Sequence, residues 1–537
     1  MISALAWVRK GVAAEKPTKY EMTEEEFTRL QETAATEIEE AKEELKEKSK
    51  LDNEILNDPA LKDFDLEHYD DDEDEVDEGE HGSDDSDTEE GGHGTAAGAG
   101  ANIFSNIKGL SYYKDGEEDP YLTTKDGEDM DDDEEAEVQI FSSDNMLLVA
   151  KTEDDISNVE VCVYEGESDN LFVHHDFMLP AFPLAVEWLD YRVGKKAEQP
   201  GGGNYVAVAT FEPRIELWDL DTLDAMYPDL VIGTTDKKAL RKARGKPHSE
   251  FHTDAIMGLS WNKNARNLLA SSSADKTVKL WDLNTGKCAQ SYSHHKDKVQ
   301  SVQWHPTEAS VMLTGGYDRR VAAFDSRAPN AVSWWSVDAD VESVMWDIHS
   351  PSHFYSASEA GTVCYFDIRA AQEGKGASPI YTLAAHDEAV SAMDQHPTVS
   401  GILVTGSADE TVKVWDVRDN KPSMIVSRNP DVGGVFATKF CPDEPMLLAI
   451  GGSSGETRIW DMSTNAHIRS TFGDATVQAN PVQEKPLLGV QGSEESDGDD
   501  DDDNADAVIA ELKGGSKKSS APSKDIDDDG DASMASD

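Results

Sequence analysis

Positive charge is scarce in this 537-residue chain: 48 Lys and Arg stand against 109 Asp and Glu, a formal net charge of −61. So acidic a chain does not bind nucleic acid through its overall charge; a protein partner or a local basic patch has to make the contact. Cysteine is scarce too. Cys162, Cys288, Cys364 and Cys441 are widely spaced in apolar strand-like runs, with no CxxC or Cys/His ligand cluster. That argues against structural zinc and for free thiols in a reducing compartment. No run of about 18 apolar residues occurs, so no membrane-spanning helix is expected. The opening residues lack the apolar core of a signal peptide, which points to a soluble intracellular protein. P-loop, GxSxG, HExxH and Rossmann fingerprints are missing, and Gly201–Gly203 reads as a hairpin connection. Neither an enzyme nor a cofactor nor a small-molecule substrate is expected.

The acidic charge is unevenly spread. Residues 51–137 hold 33 acidic and 4 basic residues, and residues 474–537 hold 18 and 5. Both stretches are poor in aromatic and branched apolar residues and cannot bury enough surface to offset the entropy of ordering. They read as a disordered acidic insert, 51–137, and a disordered acidic tail, 476–537. Residues 10–50 form a linker with a helix expected from Thr23 to about Lys50, where Thr23 and Glu26 make a capping box and Glu/Lys pairs follow at four-residue spacing. Ser83, Ser86, Thr88, Ser493 and Ser496 precede acidic residues and are candidate sites for an acid-directed kinase.

What remains, 138–475, is repetitive. Short runs end in Trp218-Asp219, Trp281-Asp282, Phe324-Asp325, Phe366-Asp367, Trp415-Asp416 and Trp460-Asp461, and after the first gap of 63 residues the spacing is 42–49. Six residues before each aromatic lies a turn position: Glu212, Asp275, Asp318, Ala360, Asp409 and Ser454. His252, His295 and His386 each stand 23 residues before one of those Asp residues. The pattern resembles the WD-repeat tetrad, giving His252–Ser271–Asp275–Trp281 and His386–Thr405–Asp409–Trp415. A third set, His295–Thr314–Asp318, meets Phe324, which has no indole N–H, and should be shortened. Buried polar chains of this kind are favourable only when the members satisfy one another, so these His–Asp pairs read as scaffold and not as catalytic dyads.

A second tryptophan register precedes each repeat: Val186-Glu187-Trp188, Leu259-Ser260-Trp261, Val302-Gln303-Trp304 and Val344-Met345-Trp346, with Gln395 and Phe440 at the later equivalents. These alternate as strands do. Ile2 to Val8, around Trp7, fits the same pattern, and blade one otherwise offers only Met146–Ala150, Val159–Tyr164 and Leu171–Met178. Residues 1–9 are therefore expected to supply the innermost strand of blade one, completing an all-β, seven-bladed WD-repeat propeller and protecting its sheet edges.

Two surfaces are candidates for contact. Lys237, Lys238, Arg241, Lys242, Arg244 and Lys246 crowd a ten-residue loop that could bind an import receptor, clamp RNA phosphates or pair with the acidic segments. Trp335, Asp338, Asp340, Glu342 and Glu359, with Trp334, fall by repeat position on the face where propeller ligands meet connecting loops. An aromatic beside carboxylates can hold a methylammonium; the alternative for both tryptophans is packing on an outer strand.

The two tryptophan registers, the opening Ala6-Trp7-Val8-Arg9-Lys10-Gly11-Val12-Ala13, the acidic insert and the basic run before His252 together resemble the periodic tryptophan protein 1 family. The resemblance covers nearly the whole chain up to about residue 475. It implies a nuclear and nucleolar protein of ribosome biogenesis, acting in large-subunit assembly and rRNA processing, with pre-ribosomal assembly factors as partners. It also implies association with rDNA chromatin and methylated histone tails. A histone-tail reader regulating rDNA transcription is the first alternative; a ubiquitin-ligase substrate receptor or signalling adaptor is the second.

Overall fold

A computed structural model describes residues 1–20, 138–166, 168–199, 201–234, 236–244, 246, 250–370, 378–473 and 484–490. Within them, 28 strands form seven four-stranded antiparallel sheets, and a two-stranded parallel ribbon stands apart. The innermost strands are Ile2–Val8, Pro183–Leu189, Ile256–Trp261, Val299–Trp304, Val341–Trp346, Val390–Gln395 and Val435–Phe440. Each touches the next in chain order, and the first touches the last, so the sheets close into a seven-bladed ring.

Blade packing follows from composition. The second strands, such as Tyr205–Thr210 and Ile402–Ser407, are buried along their whole length because a neighbouring blade covers each face. Hence they read as continuous runs of small and apolar residues instead of alternating. Glycines on these strands mark where the next inner strand presses closest. A Cβ on Gly315 would stand 2.6 Å from Val341 Cγ1, one on Gly406 2.6 Å from Val435 Cγ1, and one on Gly451 2.6 Å from Ile2 Cγ2. Ile2 thus occupies in blade one the place that Val341 and Val435 hold in blades five and seven.

Residues 2–8 pair antiparallel with Asn145–Glu153, outside which lie Ile156–Glu165 and Asn170–Leu179. Ile2, Leu5, Trp7 and Val8 are buried, at roughly 1.5–3 kcal/mol for each side chain removed from water. Further links stitch blade to blade: Glu187 Oε1 accepts from Trp261 N at 3.1 Å, Ser260 Oγ from Trp304 N at 3.1 Å, Gln303 Oε1 from Trp346 N at 2.6 Å and Asp394 Oδ2 from Phe440 N at 2.7 Å.

Two boundaries differ from expectation. The last blade takes its outer strand, Leu488–Gly489, from beyond residue 475, so residues 484–490 belong to the propeller and not to the tail. Residues 10–20 are no simple linker either. They run under blade two, where Thr18–Lys19 pairs in parallel with Thr222–Leu223 and Asp221 Oδ1 accepts from Ala14 N at 3.0 Å. The expected helix from Thr23, the insert 51–137 and the tail from 491 lie outside the described residues.

Candidate partner-binding surface

The inner strands all run the same way, and this defines two faces. The upper face carries the connections between blades and the turns between second and third strands; the lower face carries the other loops. The chain leaves the lower face at Tyr20 and re-enters there at Val138, because Tyr20 N bonds to Leu223 O and Ile140 N to Glu15 O.

The tetrads tie upper-face turns to the sheets. In blade three Trp281 Nε1–H donates to Ser271 Oγ at 2.8 Å, Ser271 donates to His252 Nε2 at 2.7 Å, and His252 Nδ1–H donates to Asp275 Oδ2 at 2.9 Å. A carboxylate can only accept, and that fixes every donor in the chain. Burial works to raise the Asp275 carboxyl, but bonds from His252, Thr277 and the Thr253 N–H outweigh it and hold it well below the carboxylate range. Burial lowers the pKa of His252, against the opposing pull of Asp275. Blade six repeats the arrangement through Trp415, Thr405, His386 and Asp409, at 2.9, 2.7 and 2.9 Å. In blade four His295 bonds to Thr314 and Asp318 at 2.9 and 3.0 Å, and Phe324 packs against Tyr292 and His294 without a donor. None of these histidines opens to a cleft: His252, His295 and His386 are buried.

Another set of side chains escaped sequence reasoning. In blades three to seven the residue after the register position closes the lower turn by accepting backbone N–H groups: Asn262 Oδ1 from Asn264 and Ala265, His305 Nδ1 from Thr307 and Glu308, Asp347 Oδ1 from His349 and Ser350, His396 Nδ1 from Thr398 and Val399, and Cys441 Sγ from Glu444. Four different residue types hide one role.

On the upper face the expected aromatic–carboxylate group does not assemble. Trp335 is fully buried in the outer strand Val332–Ser336, opposite Val321, and stacks edge-on against Phe354. Trp334, half-buried, lies against His295 and beneath Arg320. Trp335 is therefore a core residue, removed from the partner face because the strand's alternation turns it inward. The carboxylates do gather at the mouth between blades four and five. Asp340 takes Arg319 at 3.1 Å, and Glu359 N donates to the Asp340 carbonyl. Burial, opposed by a bond from Tyr317 and reinforced by Glu359 and Asp340, raises the Glu342 carboxyl. Asp338 stays exposed at the edge. No trio of His, Cys, Asp or Glu placed to hold a metal ion occurs among the described residues.

The basic run is a helix, Lys237–Ala243, in the upper connection from blade two to blade three, with Asp236 Oδ1 accepting from Lys238 N at 2.8 Å. Ala243 is buried, whereas Lys238, Arg241, Lys242, Arg244 and Lys246 are exposed. Their situation is unusual in this protein. Every other described arginine is held: Arg9, Arg214, Arg266, Arg319, Arg327, Arg369, Arg418, Arg428 and Arg458 by carboxylates, Arg192 and Arg469 by carbonyls, Arg320 by an indole. Among the described residues no ion pair reaches Arg241 or Arg244. Ser83, Ser86, Thr88, Ser493 and Ser496 lie outside the described residues.

Comparison with known proteins agrees with this architecture. The WD domain, G-beta repeat family matches residues 245–282, 286–325 and 377–416. A WD repeat-containing protein of Schizosaccharomyces pombe is 40% identical over 495 residues, 88% of this chain and 91% of its own. Periodic tryptophan protein 1 of Saccharomyces cerevisiae is 35% identical, covering 91% and 93%, and its Drosophila melanogaster homolog 31%, covering 88% and 96%.

Proposed function

Since this chain belongs to the periodic tryptophan protein 1 family of WD-repeat proteins, we propose that it is a non-catalytic nuclear and nucleolar scaffold of ribosome biogenesis, acting in large-subunit assembly and rRNA processing. The family's implied role is one support. The observation that carries the reading is the concentration of unpaired cations on one helix of a protein whose net charge is −61. Clustered cations without carboxylate partners among the described residues suit an RNA-containing partner, because binding there releases counterions and breaks none of the described ion pairs. The opposite face carries the roots of the acidic insert, where a net charge of −29 over residues 51–137 can hold basic assembly factors.

Affinity purification of the tagged protein with and without nuclease, followed by mass spectrometry and sedimentation, tests this. Large-subunit assembly factors should co-purify and co-sediment through moderate salt. Recovery of histones or a ubiquitin-ligase core without any pre-ribosomal factor would overturn it.

A further inference from the structure

We propose that the upper face of blade two is a single-stranded RNA site, in which Phe211 and Phe182 stack on bases while Lys238, Arg241, Lys242 and Arg244 hold phosphates. The inference rests on the scaffold reading for its cations and adds a ligand class and a recognition element that charge alone does not supply.

One phenyl ring on the upper face has no structural reason to be where it is. Phe211 sits at the tip of the turn between the second and third strands of blade two, the turn position that Asp275, Asp318 and Asp409 flank in the tetrad blades, and is 58% exposed. It is nonetheless held firmly. Phe211 N donates to Phe182 O at 3.0 Å, Glu212 N to Thr210 Oγ1 at 3.1 Å, and the two phenyl rings lie 5.5 Å apart at 40°. Phe182, in the connection entering blade two, is itself half-buried. A pre-positioned open aromatic surface costs little conformational entropy to use.

The basic helix follows the outer strand of the same blade, in the upper connection. The outer strand of blade two ends at Gly233, paired with Arg214, and a Cβ at Gly233 would stand 2.9 Å from Pro213 O. Four residues later the helix opens at Lys237, so its backbone begins within about 14 Å of that point at full chain extension. Arg214 does not compete for the ligand, because Glu212 and Glu216 already hold it. The chain's negative segment leaves from the other face, and at physiological salt its field decays over about 8 Å.

Cations on the same face and blade as an exposed aromatic match unstacked bases better than a duplex. In an A-form duplex the base faces are stacked on one another and out of reach, whereas a single strand offers them to aromatic side chains together with its phosphates. Stacking is tolerant of base identity, so the site should show little sequence preference.

Fluorescence anisotropy with the full-length protein and a labelled mixed-sequence oligoribonucleotide, single-stranded or annealed, reads this directly. The single strand should bind more tightly than the duplex. Phe211→Ala, which removes an exposed ring and should leave the melting curve in place, should weaken single-strand binding roughly ten-fold with an unchanged salt slope. The combined variant K238Q/R241Q/K242Q/R244Q should flatten the salt dependence by about 0.7 for each phosphate it no longer neutralises. Equal binding by Phe211→Ala and the parent, a preference for duplex, or an acidic apolar peptide as the better ligand would each overturn the site. A parent protein that enters pre-ribosomal particles yet ignores the single strand sinks this inference and spares the scaffold reading; strand binding without particle association does the reverse.

Discussion

The indole Nε1 of Trp7 donates to the backbone carbonyl of Lys439 at 3.0 Å, joining residues 432 positions apart in the sequence. Around that bond the first strand is clamped to blade seven: Arg9 pairs with Asp443 at 2.8 Å and Lys10 with Glu444 at 2.6 Å. The exposed pairs add little; the buried ring and its N–H do most of the holding. Trp7→Ala should cost about 3–5 kcal/mol through loss of the buried ring. Trp7→Phe keeps most of the apolar volume but strands the Lys439 carbonyl, at a cost of about 1 kcal/mol. Thermal melts should therefore rank the parent above Trp7→Phe above Trp7→Ala. If the alanine variant melted with the parent, the first strand would not be closing the ring.

The tetrads differ by one donor, and that difference is measurable. Thr405 accepts from Trp415 and donates to His386, whereas Thr314 has no indole to accept from. Thr→Val is close to isosteric at both. Thr405→Val leaves two buried groups without partners, the indole N–H and His386 Nε2; Thr314→Val leaves one. At about 1–3 kcal/mol for each orphaned group, the blade-six variant should lose more stability in denaturant titrations. Equal losses would mean that the indole contributes nothing to the chain.

How much of this was written in the sequence depends on whether a role keeps its residue type. The tetrads are legible because His, Asp and Trp recur at fixed spacing, and Trp7 because it reproduces an inner-strand pattern. The lower-turn acceptors are not, since Asn262, His305, Asp347, His396 and Cys441 share geometry without sharing chemistry. Adjacent Trp334 and Trp335 could have pointed either way until the pairing of Val321 with Trp335 set the alternation. Leu488–Gly489 is too short to show any period, and the strap along Asp221 repeats nothing elsewhere in the chain.

His396 gives a pH prediction. Its Nδ1 accepts from Thr398 N and Val399 N, its Nε2 is buried without a partner, and burial, helped by His349, pushes its pKa down to about 4. Unfolded, the group titrates near 6.5. A folded pKa below the unfolded one means that its stabilising contribution is complete above pH 6.5 and is lost as pH falls toward 4. The slope is about 1.4 kcal/mol per pH unit, or about 2 kcal/mol by pH 5. His396→Asn should keep the turn, because Asn262 makes the same bonds in blade three at 3.0 and 2.8 Å, while removing the titration. The difference in melting temperature between pH 7 and pH 5 should narrow in the variant. An unchanged difference would show that His396 is not a source of acid sensitivity.

Glu410 follows Asp409 in the upper turn of blade six at φ +64, in the left-handed region. The same position is Gly361 in blade five and Gly455 in blade seven, at φ +76 and +85, and Lys276 and Arg319 in blades three and four. Arg319 recovers part of the strain through Asp340, and Lys276 through the Lys296 carbonyl; Glu410 is exposed and makes no such contact among the described residues. An L-residue in this region carries a penalty of about 1–2 kcal/mol, against roughly 0.5–1 kcal/mol for the added freedom of glycine in the unfolded chain. Glu410→Gly should therefore raise stability by about 0.5–1 kcal/mol, visible as a higher denaturation midpoint. Gly361→Ala should do the opposite and more strongly, since its Cβ would lie 2.1 Å from the His386 carbonyl oxygen and force that backbone to move. A neutral Gly361→Ala would mean that the turn has room the close approach denies, and with it the strain assigned to Glu410 would fall.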